Sequence, residues 1–371
     1  MGTAVHASDG VTVGSGQTKA ITAFTVCKSI ANNSATGKAL YVATNTALEW
    51  SSFYNLPPSG VTATACQTIQ NASWVSLGNV LPQTIANSQT AVIGGFAYIF
   101  GGRISSTGVT PAIYRASTAN MSSWTLVGNL PGPSHSGQLY NDGTYLYLFG
   151  GRSGETPGDG TYLNTIYKAP VANPIAWVDT GALMAGKLAY SQLVIPGDGY
   201  MYLLGGSPSY QVYSGEIYRA PVSNPLTWVD TGVSLPVTLT TSQAMVIGNF
   251  IYLFGGRTGN ASYVTTIYRA PTSNPLSWTA VGNLPVGFAF SSLKQVGSTL
   301  YLMGGYNGSS LTSVYKADVS TPLSWSLDPA ALPAGFDSSH PQIIGNNIYL
   351  LAGGNNSSWA TQLVYRATLI P

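Results

Sequence analysis

The chain has 371 residues, of which 44% are hydrophobic and 7% charged, and 14 Lys and Arg against 12 Asp and Glu leave a formal charge of +2. Disorder needs low hydrophobicity and a high net charge, and a strong field for nucleic acid or an anionic membrane needs a basic excess; this chain has neither. No apolar run approaches the ~20 residues of a bilayer span.

The first residues, MGTAVHASDGVTVGSG, carry no basic start followed by an apolar stretch, so no secretory signal is expected there. Cys27 and Cys66 are too few for a disulfide framework and leave the redox compartment open. Apolar, strand-like runs follow in TAFTVCKSI, ALYVATN, VTATACQT and WVSLG, without a glycine pair.

From residue 98 onward the sequence repeats. Tyr98-Ile-Phe-Gly-Gly returns as Tyr147-Leu-Phe-Gly-Gly, Tyr202-Leu-Leu-Gly-Gly, Tyr252-Leu-Phe-Gly-Gly and Tyr301-Leu-Met-Gly-Gly, then as Tyr349-Leu-Leu-Ala-Gly-Gly with Ala352 read as an added residue. The spacings are 49, 55, 50, 49 and 48 residues. A second tyrosine follows each glycine pair, and five are followed ten residues later by tryptophan: Tyr114/Trp124, Tyr167/Trp177, Tyr218/Trp228, Tyr268/Trp278 and Tyr315/Trp325. Each unit reads as four short strands. In the fourth, SQAMVIG and FIYLFGG flank a Gly248-Asn249 turn, TIYRAP is the third strand, and the last begins at Trp278. A single sheet of this kind cannot bury both faces, so the units must pack around an axis.

A glycine pair after apolar positions, then tyrosine, then tryptophan, resembles the kelch repeat family over about residues 74–371. The resemblance implies an all-β, kelch-like β-propeller with radial four-stranded blades. The last copy ends at LVYRATLIP without a tryptophan strand, so the N-terminal part must supply one. If the Trp74 strand does so there are six blades, with an N-terminal arm or small extension before them. If residues 19–80 form a degenerate first blade, residues 1–18 provide the closing strand and 81–371 the six regular blades, giving seven. Seven blades is the arrangement carried forward, with six as the alternative.

In such a ring the loops between second and third strands, and between one blade and the next, share a face around the channel mouth. The first set carries Arg103, Arg152, Ser207, Arg257, Tyr306 and Asn355 after the glycine pairs; the second includes His135, Tyr190, Phe290, Asp337 and His340. Guanidinium groups near aromatic rings suit an acidic sugar, with Arg forks on the anion and rings under the sugar face. The candidate ligand site is therefore Arg103, Arg152, Arg257, His135, Tyr190, Phe290, Tyr306 and His340. A plainer alternative is that each arginine bonds a loop carbonyl inside its own blade.

Another cation series, Arg115, Lys168, Arg219, Arg269, Lys316 and Arg366, recurs in every copy and reads as structural, covering a blade face or pairing with Asp179 and Asp230. The Gly-x4-Gly-Lys string at 181–187 lacks the Ser or Thr of a phosphate loop and its strand-to-helix setting. No sialidase-type Ser-x-Asp-x-Gly-x-x-Trp box occurs, and three histidines with two remote cysteines do not suit a copper-radical oxidase, so neither a metal nor a cofactor is expected.

Two functional readings follow. Scarce charge and abundant Ser, Thr, Asn, Gly and Tyr are similar to phage tail and fibre proteins. That likeness implies a non-catalytic binding or assembly module on a virion or extracellular surface, contacting host glycan or a protein partner, within a larger assembly or homo-oligomer, without nucleic acid or a membrane span. The alternative is a carbohydrate-active propeller of the sugar-mutarotase type, with His135, Glu155, Asp337 or His340 as acid or base.

Overall fold

The computed structural model describes residues 73–155 and 161–369, together with the backbone of six short strands nearer the N-terminus. The chain divides into two units, Met1–Asn71 and Ala72–Leu369. In the first, Val5–His6 pairs with Thr12–Val13, Thr18–Ala20 with Ala47–Glu49, and Thr25–Cys27 with Cys66–Thr68. The other expectations for residues 1–72 lie outside the described residues.

The second unit is built of six four-stranded antiparallel sheets. Blade 1 runs Gln89–Ile93, Phe96–Arg103, Val109–Ser117 and Thr125–Asn129, from the axis outward. Blades 2 to 5 occupy 138–183, 192–234, 243–283 and 292–327 in the same order. Each first hairpin turns on residues that favour positive φ, such as Gly94 and Gly95 at φ 57° and 80°. The second strands are buried almost throughout, because blades cover both of their faces. Hence their runs are continuously apolar rather than alternating.

Blade 6 consists of His340–Ile344, Asn347–Leu351 and Leu363–Thr368, completed by Trp74–Asn79, which pairs antiparallel with the last of these. The ring then closes onto blade 1: Ile85 bridges to Thr361, and Gln342 Nε2 donates to Thr90 Oγ1 at 2.8 Å. The expectation of seven blades is corrected to six. The WVSLG strand belongs to the last blade, and with blade 6 bonded directly to blade 1 no gap is left for another sheet.

A belt of backbone hydrogen bonds runs once around the axis. Ser136 N–H donates to Asn87 O (2.8 Å), Tyr190 to Ser136 (2.9 Å), Thr241 to Tyr190 (3.0 Å), Phe290 to Thr241 (3.2 Å), Ser338 to Phe290 (2.8 Å) and Asn87 to Ser338 (2.9 Å). All six residues hold φ between 53° and 59°. The glycine pairs make a second seam: Gly102 N–H donates to Ser134 O of the next blade, and Gly151, Gly206, Gly256 and Gly305 repeat the contact with Leu188, Leu239, Phe288 and Phe336. A Cβ at the first glycine of the pair would run into that same carbonyl, as Gly101 against Ser134 O shows. The pair thus admits a neighbouring carbonyl, where the sequence suggested an aromatic ring; blade 4 has both, since Phe288 also lies against Gly255.

The last repeat has no inserted residue. Ala352, at φ 54°, takes the place of the first glycine, Gly353 that of the second, and Gly354 bridges to Asp337 where the other blades use the residue after the pair. Asn355 is therefore one position beyond the series that contains Arg103.

Edge-on rings lock neighbouring blades: Phe100 with Trp177 at 5.3 Å, Phe149 with Trp228 at 5.0 Å and Phe254 with Trp325 at 5.3 Å. Such pairs add roughly 0.5–1.5 kcal/mol each beyond area burial. The cation series covers blade faces by resting on the ring that opens each second strand: Arg115 on Phe96, Lys168 on Tyr145, Arg219 on Tyr200 and Arg269 on Phe250, at 3.6–4.6 Å. Lys316 has Thr299 there instead of a ring and pairs with Asp328 at 3.0 Å. Asp179 and Asp230 do not join this series; each accepts from a turn amide, of Gly181 and Gly232.

The closure is testable by truncation. A chain starting at Ala72 is expected to melt cooperatively, whereas one starting at Val80, without the Trp74 strand, melts roughly 10 °C or more lower in calorimetry. Equal melting of the two would show that the strand does not close the ring.

Candidate functional site

In each blade the residue after the glycine pair forms a bridge with the loop entering that blade: Ala86 with Arg103, His135 with Arg152, Ala189 with Ser207, Thr240 with Arg257, Ala289 with Tyr306. One residue further along that loop is the belt residue. The two loop sets are therefore stitched together on one face, which brings Arg103, Arg152, Arg257, His135 and Tyr306 beside Tyr190 and Phe290.

Glu155 lies at the centre of the charged part. It stands just past the end of the strand Tyr145–Arg152, and its side chain is almost fully buried. One carboxylate oxygen lies 2.9 Å from His135 Nε2 and 3.2 Å from Arg103 Nε, the other 3.0 Å from Arg152 Nη1. His135 Nδ1 and Ser136 Oγ share a hydrogen bond at 2.8 Å, and a proton on His135 Nε2 would face the Glu155 carboxylate, which can only accept. Burial pushes the Glu155 carboxyl up, but the hydrogen bond from His135 and the charges of Arg103 and Arg152 outweigh it and hold it below the usual carboxylate range. His135 is pushed down, by burial first and by the two guanidinium charges, against the pull of Glu155. At neutral pH this is an anion, two cations and a neutral imidazole.

Aromatic rings frame the cluster. Arg103 lies 4.4 Å from the ring centre of Trp359, which is 63% exposed, and Arg152 lies 4.7 Å from that of Tyr162. His135 meets Tyr190 edge-on at 5.9 Å, and Tyr190 meets Phe290 the same way. Arg257 follows at 5.0 Å from the Phe290 ring and 5.6 Å from Tyr213, whose hydroxyl donates to Asn260 Oδ1. Arg257 Nε is buried without a well-formed hydrogen bond.

The candidates thus separate into groups. Arg103, Arg152 and His135 meet on one carboxylate, while Tyr190 and Phe290 link them to Arg257. Tyr306 lies beside Tyr263 at 6.0 Å, on the far side of that arc. His340 lines the channel, where Tyr190 and Phe290 also reach. Arg103 also follows the plainer alternative, since its Nε and Nη2 donate to Ser105 O and Ser106 O at 2.9 and 3.3 Å within blade 1. Sequence reasoning left Trp359, Tyr162 and Tyr213 out of the site and weighed Glu155 only as an acid or base of the mutarotase alternative. Trp359 stands outside the Tyr-to-Trp phase of the repeat, which was the available signal.

The channel wall is uncharged where the blades begin. Gln89, Gln138, Gln192 and Gln243 occupy one position of the repeat, two residues past the belt, and Ser292 and His340 complete the set. Gln89 Nε2 donates to Gly137 O, Gln138 Nε2 to Ser191 O, and Leu193 N–H donates back to Gln138 Oε1. These amides tie each first strand to the next. Burial, with Lys294 nearby, lowers the His340 pKa to about 4.

A lowered histidine has a definite sign. In the unfolded chain His340 takes up a proton below about pH 6.5, while in the folded ring it stays neutral to about 4. Stability contributed by the neutral form is therefore present above pH 6.5 and lost as pH falls towards 4. His340→Gln installs the residue of four other blades. It is expected to keep the melting temperature at pH 7.5 and to lose less of it between pH 6.5 and 4.5 than the unsubstituted chain; an unchanged slope would refute the assignment.

A closed ring of six radial four-stranded sheets defines the second unit as a six-bladed β-propeller, with arginines and aromatic rings gathered on one loop face. Its architecture is similar to a solved structure titled "Structure of YjhT", with a TM-score of 0.60 and 16% identity over 77% of this chain and 95% of that one. At that identity the likeness is one of fold. No family model matches the chain, and neither does any curated protein.

Proposed function

We propose that the loop face is a non-catalytic binding site for an acidic glycan. The observation that carries this reading is the convergence of Arg103, Arg152 and Arg257 on a surface framed by Trp359, Tyr162, Tyr190 and Phe290, with the Glu155 carboxylate among them. Three guanidinium groups against two buried acids, Glu155 and Asp337, leave a positive excess. Arg257 Nε is buried without a well-formed acceptor, which a ligand anion would supply. The exposed indole of Trp359 offers a flat apolar face of the kind that stacks on a sugar ring. The setting that fits the composition is a virion or extracellular surface, where the module would engage host glycan.

A mutarotase-type activity is the second reading, supported by the His135–Glu155 pair. Ring opening calls for an acid and a base that titrate near the working pH. Glu155 is held ionised by two arginines and His135 is a fully buried neutral imidazole, so both are displaced from that range in the unhelpful direction. Binding is the better fit.

On a glycan array, the purified chain is expected to retain carboxylated or sulfated glycans and to ignore neutral ones. By titration, Arg257→Ala should weaken the best array ligand by roughly 10- to 100-fold, the range for a lost charged contact. Retention of neutral glycans alone, or unchanged affinity in Arg257→Ala, would remove the proposal.

A further inference from the structure

We infer that the Arg103–His135–Arg152 cluster is a carboxylate-binding site occupied by the chain's own Glu155, and that a carboxylated sugar binds by exchanging with it. The inference rests on the acidic-glycan reading above and narrows it to carboxylates.

Three observations carry it. The cluster surrounds the carboxylate from three chain segments: Arg152 Nη1 donates to one oxygen at 3.0 Å, and His135 Nε2 and Arg103 Nε lie 2.9 and 3.2 Å from the other, a setting that suits a planar two-oxygen anion. Glu155 is not demanded by the framework. At its position in the repeat, three residues past the bridge, the other blades carry Ser106, Tyr210, Asn260, Ser309 and Ser357, and the belt passes through them equally well. Finally, Glu155 lies beyond the last ladder residue of its strand, Arg152, so its side chain can leave without breaking a ladder hydrogen bond. Arg152, by contrast, is fixed by its bridge to His135.

Exchange has an energetic logic. Removing the carboxylate from the buried guanidinium of Arg152 and the half-buried one of Arg103 is costly unless another anion replaces it, because Arg152 is left as an unpaired buried charge. A neutral sugar cannot compensate, and a carboxylated one can. Glu155 thereby acts as an intramolecular competitor that sets the affinity threshold of the face.

The test uses the full chain in two substitutions. Glu155→Gln keeps the volume and removes the charge. Titrated with glucuronate or N-acetylneuraminate, it is expected to bind at least about fivefold more tightly than the unsubstituted chain, since the competitor is gone. Unchanged or weaker binding overturns the exchange. Glu155→Ala leaves room for a small anion. Its melting temperature should rise by several degrees in millimolar acetate or propionate, and no more than that of the unsubstituted chain in chloride at equal ionic strength.

Absence of that acetate response, or an equal response in the unsubstituted chain, counts against the proposal. Failure of both variants to fold even in acetate would make Glu155 an indispensable strut and also overturn it. The two readings fail separately. Acetate rescue without any glycan binding keeps the carboxylate site and discards the glycan, whereas glycan binding indifferent to Glu155→Gln does the reverse.

Discussion

The left-handed belt around the axis is the constraint on which the rest of the propeller depends. Six amides hand a hydrogen bond from one blade to the next until the sixth returns to the first, and each requires its residue to hold φ near 55°. For Asn87 this costs little, but for Tyr190, Thr241 and Phe290 it costs on the order of 1–2 kcal/mol each. The strain persists because each belt residue is pinned on both sides. The preceding residue bridges to the strand after the glycine pair, and in five of the six the residue before that accepts from the second glycine of the neighbouring blade. Closure is thus cooperative: a missing blade would orphan donors and acceptors at two seams.

The same stitching decides what is displayed. A residue after the glycine pair ends its blade's second strand and is also bridged by the incoming loop, so it stands where the loop face begins. Arg103, Arg152 and Arg257 therefore emerge on one face, and the αL conformation brings Tyr190 and Phe290 between them. Fold and site share one set of hydrogen bonds.

Much of this was legible in the sequence because it is periodic. The glycine pairs, the hairpin turns and the Tyr and Trp phases announced four-stranded units in a ring, and the post-glycine arginines could be placed on a face before any coordinates. Blade number was not legible. Trp74–Asn79 reads equally well as the end of an early blade or as the rim of the last, and the choice lies in its long-range register with Leu363–Thr368. Ala352 misled in the same region, since a non-glycine residue at φ 54° looks in sequence like an insertion. The belt was invisible because tyrosine, threonine and phenylalanine do not advertise positive φ. Trp359 escaped, and Glu155 was weighed only as a catalytic group, because both break the repeat, and departures from periodicity are where a repeat protein places what is particular to it.

Charge is the scarce quantity in this chain, and its placement carries the functional argument. With 26 Lys, Arg, Asp and Glu among 371 residues, most blades pair their cations with rings rather than acids, as Arg115, Lys168, Arg219 and Arg269 do. Five charged groups nevertheless gather on the loop face: Arg103, Arg152, Glu155, Arg257 and Asp337. In so neutral a molecule there is little long-range field to draw an anion from a distance, and selectivity has to come from contact. Contact selectivity is strong where charges are buried, since a guanidinium stripped of one carboxylate must be given another. A scaffold held by a closed belt suits that exchange, because the two arginines keep their positions while the anion between them changes.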